Sequence, residues 1–190
     1  MKNISKNERN KLKEHKGLAV WLTGLSGAGK STIANELERQ LFEKKIHTYT
    51  LDGDILRTGL NKDLSFTEEA RKENIRRTGE VAKLFVDSGT VVIAAFISPF
   101  ASDRKIVREL LGEEFVEVFV NCPLEICEQR DVKGLYEKAR KGEVINFTGI
   151  DSPYQNPENP EITVHTHLQN VQECVQKILE TILPKIESIK

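Results

Sequence analysis

No segment of this 190-residue chain approaches the roughly 20 consecutive apolar residues that a membrane-spanning helix needs. Cysteine is scarce. Cys122, Cys127 and Cys174 are an odd, widely spaced set, which argues against a disulfide framework and fits a reducing compartment, the cytoplasm being the expected location. No Cys/His set has zinc-site spacing. His165 and His167 stand one residue apart and read as an ordinary strand end rather than as metal ligands. An excess of one charge sign is lacking too: 28 Lys and Arg face 29 Asp and Glu, for a net charge of −1. That balance gives no footing for nucleic acid, although local arginine clusters can still hold small anions. Segment 1–16 is polar and Lys-rich without an apolar stretch, so it does not read as a signal peptide. The length predicts one domain, over 17–190, with a core of ordinary size.

What is present alternates. Short apolar runs predict strands at Ala19–Thr23, Thr48–Leu51, Thr90–Ala95, Phe115–Val120 and Ile162–Val164. Helical spacing predicts helices at Ser31–Leu41, Thr67–Ser88, Asp103–Leu111, Pro123–Arg130 and Val171–Leu183. Val91 to Phe96 is apolar throughout, as a strand covered on both faces should be. The alternation implies an α/β fold, a five-stranded parallel sheet flanked by helices. In such sheets ligands bind beyond the C-terminal ends of the strands.

The first of those ends carries Gly24-Leu25-Ser26-Gly27-Ala28-Gly29-Lys30-Ser31, followed by Thr32. The pattern G-x-x-x-x-G-K-[ST] between a strand and a helix is a phosphate-binding loop. Its backbone N–H groups wrap phosphates and the helix N-terminus adds partial positive charge. Lys30 reaches the β- and γ-phosphates, and the Ser31 hydroxyl is a ligand for Mg²⁺.

The second strand runs into Asp52-Gly53-Asp54, then Arg57. A carboxylate there can accept a proton from an attacking hydroxyl, or hold Mg²⁺ through water. In the next helix Ser65 and Glu68 have capping-box spacing. Ile75, Ala82 and Phe85 form an apolar stripe, which Arg71, Asn74 and Thr78 continue toward the N-terminus. Polar groups on a core-facing stripe need partners, and a charged ligand is one source. Ser98, after Phe96-Ile97 and before Pro99, stands where a hydroxyl can touch substrate. No histidine near it in the chain supports a nucleophile. Arg130 to Gly142 is basic and helical, and a Gly/Pro-rich loop follows. Together they predict a helical lid over about 130–160, with Arg130, Lys133 and Arg140 as phosphate-neutralising charges. Phe147, flanked by polar residues, reads as a ring that stacks on a base.

These motifs resemble adenylyl-sulfate kinase. The resemblance runs from about Lys16 to the C-terminal helix. It rests on Gly24–Thr32, Leu51–Arg57 with Gly59-Leu60-Asn61, Arg71 with Glu73 to Arg77, Phe96–Pro99, Arg130–Tyr136 with Lys138-Ala139-Arg140, and Phe147–Tyr154. It implies an adenylate-kinase-like P-loop fold, a homodimer, and phosphoryl transfer from ATP to the 3′-hydroxyl of adenosine 5′-phosphosulfate in sulfate assimilation. ATP sulfurylase is an implied functional partner. The resemblance assigns Arg57, Phe66, Arg71, Asn74, Ile97, Ser98, Lys133 and Phe147 to the adenylyl-sulfate site. It puts Asp52 and Asp54 near the 3′-hydroxyl and the metal, and it labels the Ser98 position a phosphoserine intermediate, although direct in-line transfer needs none. The chain departs from the pattern at Ala101-Ser102, where relatives carry an arginine, and at Asp63-Leu64-Ser65, where a glycine is usual before Phe66. A kinase for another hydroxylated metabolite such as gluconate or a nucleoside phosphate, and a nucleotide-binding regulator or inactive partner without transfer, stay open. Phe66 and Phe147 favour an adenine over a sugar acid.

Overall fold

The structure is a computed structural model that describes residues 3–187; the outermost residues of the polar 1–16 segment and of the 17–190 domain lie outside it. Five parallel strands form one sheet: β1 (Leu18–Thr23), β2 (Thr48–Asp52), β3 (Val91–Phe96), β4 (Phe115–Asn121) and β5 (Ile162–His165), in the order β2-β3-β1-β4-β5. The helices are α1 (Lys6–Lys13), α2 (Lys30–Glu43), α3 (Gly53–Thr58), α4 (Glu68–Asp87), α5 (Ala101–Leu111), α6 (Leu124–Arg130), α7 (Leu135–Arg140) and α8 (Val171–Ile186).

The strand period of two sorts side chains between two cores. Leu18, Val20 and Leu22 of β1 face α2 and α8, whereas Ala19 and Trp21 face α4 and α5. Both sets are almost fully buried, so β1 is apolar on both sides. Each such Leu or Val contributes about 1.5–3 kcal/mol of burial. Polar residues on the α4–α5 side must be matched. Glu117 of β4 is 6 % exposed and pairs with Arg104 of α5, 3 % exposed, at 2.8 Å.

Two short helices depart from the sequence expectation. α1 forms inside the polar opening segment, where Ser5 and Glu8 make a reciprocal capping box. α3 begins on Gly53, with the Asp52 side chain accepting from the Asp54 N–H at 2.8 Å. The expected Ser65–Glu68 box does not form. Thr67 caps α4 instead, its hydroxyl accepting from Ala70 N–H at 3.3 Å. Thr67 has the extended backbone that an N-cap needs (φ −63°, ψ 164°), two residues later than expected.

Candidate active site

The chain leaves central β1 at Gly24 and re-enters helix at Lys30, at the point where the sheet order splits to β3 on one side and β4 on the other. A side chain at Gly24 would stand 2.5 Å from the Val120 carbonyl. Gly27 turns at φ 73°, a conformation that glycine adopts without strain. The Lys30 side chain folds back over this turn, and its ammonium donates to the carbonyls of Gly24 at 2.8 Å and Leu25 at 2.7 Å. Enclosure pulls its pKa down to about 8. The nearby Cys127, Asp52 and Asp54 oppose that shift. Ser31 at the start of α2 is exposed, and its hydroxyl donates to Asp52 Oδ2 at 3.1 Å. Thr32 follows it on the same exposed first turn.

Other segments brace the loop. Tyr136 of α7 donates through its hydroxyl to the Ser26 carbonyl at 2.9 Å. Thr166 donates to the Ala28 carbonyl at 2.8 Å, and Arg130 donates to the Thr166 carbonyl at 2.7 Å. Leu25 and the segment 149–154 border a cleft of about 530 Å³.

Across Asp52 and Asp54 lie the residues expected to hold the second substrate. Arg57 of α3 donates to the carbonyls of Leu64 and Ser65 at 3.0 and 3.1 Å, and lies 4.2 Å over the Phe66 ring. Phe66 itself is 59 % exposed. Arg71 donates to the Phe66 carbonyl at 3.0 Å and also reaches Thr148 and Asn146 of the lid. Arg57 and Arg71 make no salt bridge among the described residues, and burial disfavours the charge on each. The arginines that do pair with carboxylates, Arg76 with Glu73 and Arg77 with Asp63 and Glu73, show the opposite shift. A second cleft of about 250 Å³ lies between Phe66, Arg71, Phe100 and Asn146. Lys133 reaches from the lid to pair with Asp54.

Four expectations need correction. Phe147 is 8 % exposed and packs edge-on against Tyr136 at 4.9 Å; it fills the core under the lid rather than offering a free face. Its polar neighbours point elsewhere, because Asp151 accepts from the backbone N–H groups of Asn146 and Phe147 and turns the loop inward. The Thr78 hydroxyl finds its partner within the protein, donating to the Asn74 carbonyl. Asn74 is matched at one end only, its Oδ1 accepting from Asn61 while its amino group donates to no protein group among the described residues. Arg140 pairs with Glu128 instead of facing phosphates. Ser98 is 2 % exposed, and its hydroxyl donates to Thr23 Oγ1 at 2.9 Å while accepting from Trp21 Nε1 at 3.1 Å. No base stands beside it, and both of those contacts fix it in place. Ile97, next to it, presents its carbonyl to the Thr23 hydroxyl at 2.7 Å.

Sequence patterns gave no warning of Arg104. Its guanidinium donates to the Ser98 carbonyl, the Gln155 carbonyl and Glu117, each at 2.8 Å. It ties the end of the lid to the segment 97–98 and holds Ser98 in a left-handed conformation at φ 39°. An arginine in an amphipathic helix reads as solvated; only its position opposite a buried strand glutamate marks it.

The family model for adenylylsulphate kinase matches residues 16–165. The chain belongs to the adenylyl-sulfate kinase family. It is 58 % identical over 184 residues to the adenylyl-sulfate kinase of Clostridium kluyveri, covering 97 % of this chain and 92 % of that one. It is 60 % identical to a probable adenylyl-sulfate kinase of Halalkalibacterium halodurans, covering 92 % and 87 %. The Mycobacterium tuberculosis APS kinase, solved in complex with AMPPNP and APS, superposes with a TM-score of 0.84 at 49 % identity, covering 87 % and 96 %. A gluconokinase from Sinorhizobium meliloti, 18 % identical with a TM-score of 0.61 and coverage of 89 % and 93 %, shares the P-loop kinase fold alone.

Proposed function

We propose that this chain transfers the γ-phosphoryl group of ATP to the 3′-hydroxyl of adenosine 5′-phosphosulfate, giving ADP and 3′-phosphoadenosine 5′-phosphosulfate. The observation that carries this reading is the pair Arg57 and Arg71. Two half-buried guanidiniums near one another, bonded only to neutral oxygens, are suited to an anion that two planar forks can grip. A phosphosulfate supplies that anion, and the exposed Phe66 ring gives an adenine a surface to stack on.

The transfer is direct. ATP phosphates lie in the Gly24–Thr32 loop, and the Lys30 ammonium exchanges its loop carbonyls for phosphate oxygens. The nucleophile is the 3′-hydroxyl, whose proton passes to a carboxylate at Asp52–Asp54 as the new P–O bond forms and the bond to ADP breaks. Ser98 positions the segment beside the acceptor and forms no phosphoenzyme. Ser31 and Asp52 offer a hydroxyl and a carboxylate within one hydrogen bond of each other, an all-oxygen donor set of the kind Mg²⁺ accepts alongside water. Mg²⁺ held by Ser31, and by Asp52 through water, would neutralise charge on the β- and γ-phosphates. Three buried free thiols are consistent with a cytoplasmic setting. A homodimer working in sequence with an ATP sulfurylase completes the reading.

ADP release measured with and without adenosine 5′-phosphosulfate tests it. Strong stimulation by that nucleotide and none by gluconate is expected; equal release with either, or none at all, would overturn it. Incubation with γ-labelled ATP alone should leave the protein unlabelled. A stoichiometric phosphoserine that passes its label to adenosine 5′-phosphosulfate would replace direct transfer by a covalent route.

A further inference from the structure

Asn61 is wholly buried in the turn between α3 and α4, with 0 % of its surface exposed. Its backbone is held at both ends: Asn61 N–H donates to the Leu56 carbonyl at 2.8 Å, and its own carbonyl accepts from Leu64 N–H at 3.1 Å. Arg77 fixes the same turn from α4 by donating to the Leu60 carbonyl and to both carboxylate oxygens of Asp63. From this turn the Asn61 side chain reaches α4. Its Nδ2 donates to Asn74 Oδ1 at 2.9 Å, while its own Oδ1 is buried without a hydrogen-bond partner.

An orphaned buried acceptor is a cost that folds usually avoid. Reversing both amides would be worse. Asn61 would then bury an amino group with two N–H protons and no acceptor, and orphaned N–H groups are rarer than orphaned carbonyls. The pair is thus locked in one sense. Asn74 has its oxygen consumed by Asn61, and its Nδ2 donates to no protein group among the described residues. Asn74 lies one turn along α4 from Arg71, on the same face.

We infer that Asn61 is a positioning residue that fixes which end of the Asn74 carboxamide is offered to the nucleotide acceptor: the amino group, a donor for phosphate, sulfate or ribose oxygens. Asn61 touches no substrate and acts through Asn74. The inference rests on the placement of adenosine 5′-phosphosulfate beside Arg71 and Asn74 proposed above. It explains why an unsatisfied carbonyl is kept at a fully buried position.

The test is a double-mutant cycle read by calorimetric binding of adenosine 5′-phosphosulfate and of ATP, with thermal melts for each variant. Asn61→Ala should weaken adenosine 5′-phosphosulfate roughly 5- to 10-fold, the worth of one hydrogen bond, and leave the ATP Kd unchanged. Asn74→Ala should weaken the same ligand at least as much. The double variant should bind like Asn74→Ala alone, because Asn61 has nothing left to orient. Asn74→Asp keeps an acceptor for Asn61 but replaces the donor by a carboxylate oxygen, so it should bind adenosine 5′-phosphosulfate more weakly than Asn74→Ala does. Asn61→Asp keeps the shape of the side chain but offers only acceptors, so it should turn the Asn74 amino group toward residue 61 and weaken adenosine 5′-phosphosulfate as Asn74→Ala does. It carries the test if Asn61→Ala does not fold, and normal binding by Asn61→Asp would overturn the inference. Multiplying losses in the double variant, normal binding by Asn61→Ala, or Asn74→Asp binding as well as the unsubstituted protein would each overturn the inference. Normal binding of adenosine 5′-phosphosulfate by Asn74→Ala would instead show that the acceptor site is misplaced, and the positioning role would fall with it.

Discussion

The phosphate loop draws its groups from consecutive residues, Gly24 to Thr32, and most of its donors are backbone. The acceptor side gathers Arg57 from α3, Arg71 from α4 and Asn146 from the lid. Its donors are side chains, and the contacts that join α3 and α4 to the lid, Arg71 to Asn146 and Thr148 and Lys133 to Asp54, span more than 70 residues. One half is built from a single strand, the turn after it and the start of the next helix, with Tyr136, Thr166 and Arg130 as outer braces. The other exists only when α3, α4 and the segment after α7 are packed together. Damage to the first should therefore appear as lost chemistry at one point. Damage to the second should appear as lost affinity for one ligand together with a loosened lid.

The largest effect should follow from Lys30→Ala. Lys30 folds its charge back over the loop, and it meets the charge that develops on the transferred group. Losing a preorganised contact of this kind costs about 10²–10³-fold in turnover. Steady-state rates at saturating ATP check this, with a melting curve that shows the fold intact. Near-normal turnover would break the comparison on the loop side.

Arg71→Ala should come next. Charge-assisted bonds are worth about 1.5–3 kcal/mol each, so adenosine 5′-phosphosulfate should bind roughly one to two powers of ten more weakly, with the ATP Kd little changed. Because Arg71 also holds Asn146 and Thr148, amides over 146–152 should exchange faster with solvent in the variant. Arg71→Lys should recover part of the affinity, since a point charge cannot copy the fork. If Arg71→Ala weakened ATP and spared the other nucleotide, the two sites would have to be exchanged.

The contrast in construction also decides what could be read from the chain. The phosphate loop is a run of fixed spacing, and β1 and β3 are apolar along nearly their whole length, with the other strands at matching intervals between helices, so both were legible. Arg57 was legible through the resemblance, and Arg71 also through a polar interruption of an apolar helical stripe. Phe147 was misjudged because its neighbours in sequence are polar. Its neighbours in space, Tyr136 among them, come from another element. Arg104 was invisible for the same reason: its acceptors lie 6, 13 and 51 residues away. The short helices α1 and α3 were missed because capping side chains, rather than a long periodic pattern, start them.

A third effect, intermediate in size, comes from pH. With the Lys30 pKa near 8 in the folded protein and about 10.4 in an unfolded chain, the unfolded state binds more protons between those values. This group's contribution to stability therefore rises with pH across that window. ATP affinity should move the other way, because the free enzyme must take up a proton to present the ammonium. At pH 9 about a tenth of Lys30 is charged, so the ATP Kd should rise roughly tenfold over its value well below pH 8. Lys30→Arg, permanently charged, should bind ATP with little dependence on pH in this range. A flat profile in the unsubstituted protein would mean that the lysine is not enclosed.

The smallest effect is expected at Lys133, where the lid meets Asp54. Both side chains are largely exposed, 60 % and 75 %. Exposed ion pairs contribute about 0–1 kcal/mol, so Lys133→Ala should lower the melting temperature by less than about 4 °C. Its contribution to holding adenosine 5′-phosphosulfate should be of the same kind, a through-solvent attraction of a few-fold. Salt separates this from the enclosed contacts. Raising ionic strength from about 0.05 to 0.5 M shortens the Debye length from above 10 Å to below 8 Å, and it should erase most of the difference between Lys133→Ala and the unsubstituted protein. The Lys30→Ala defect should persist under the same change, because the loop ammonium works against bound phosphate with little water between them. A salt-resistant loss at Lys133 as large as that at Arg71 would place the lid lysine within the enclosed part of the site. The acceptor half would then share the tight construction of the phosphate loop, and the contrast between the two halves would fail.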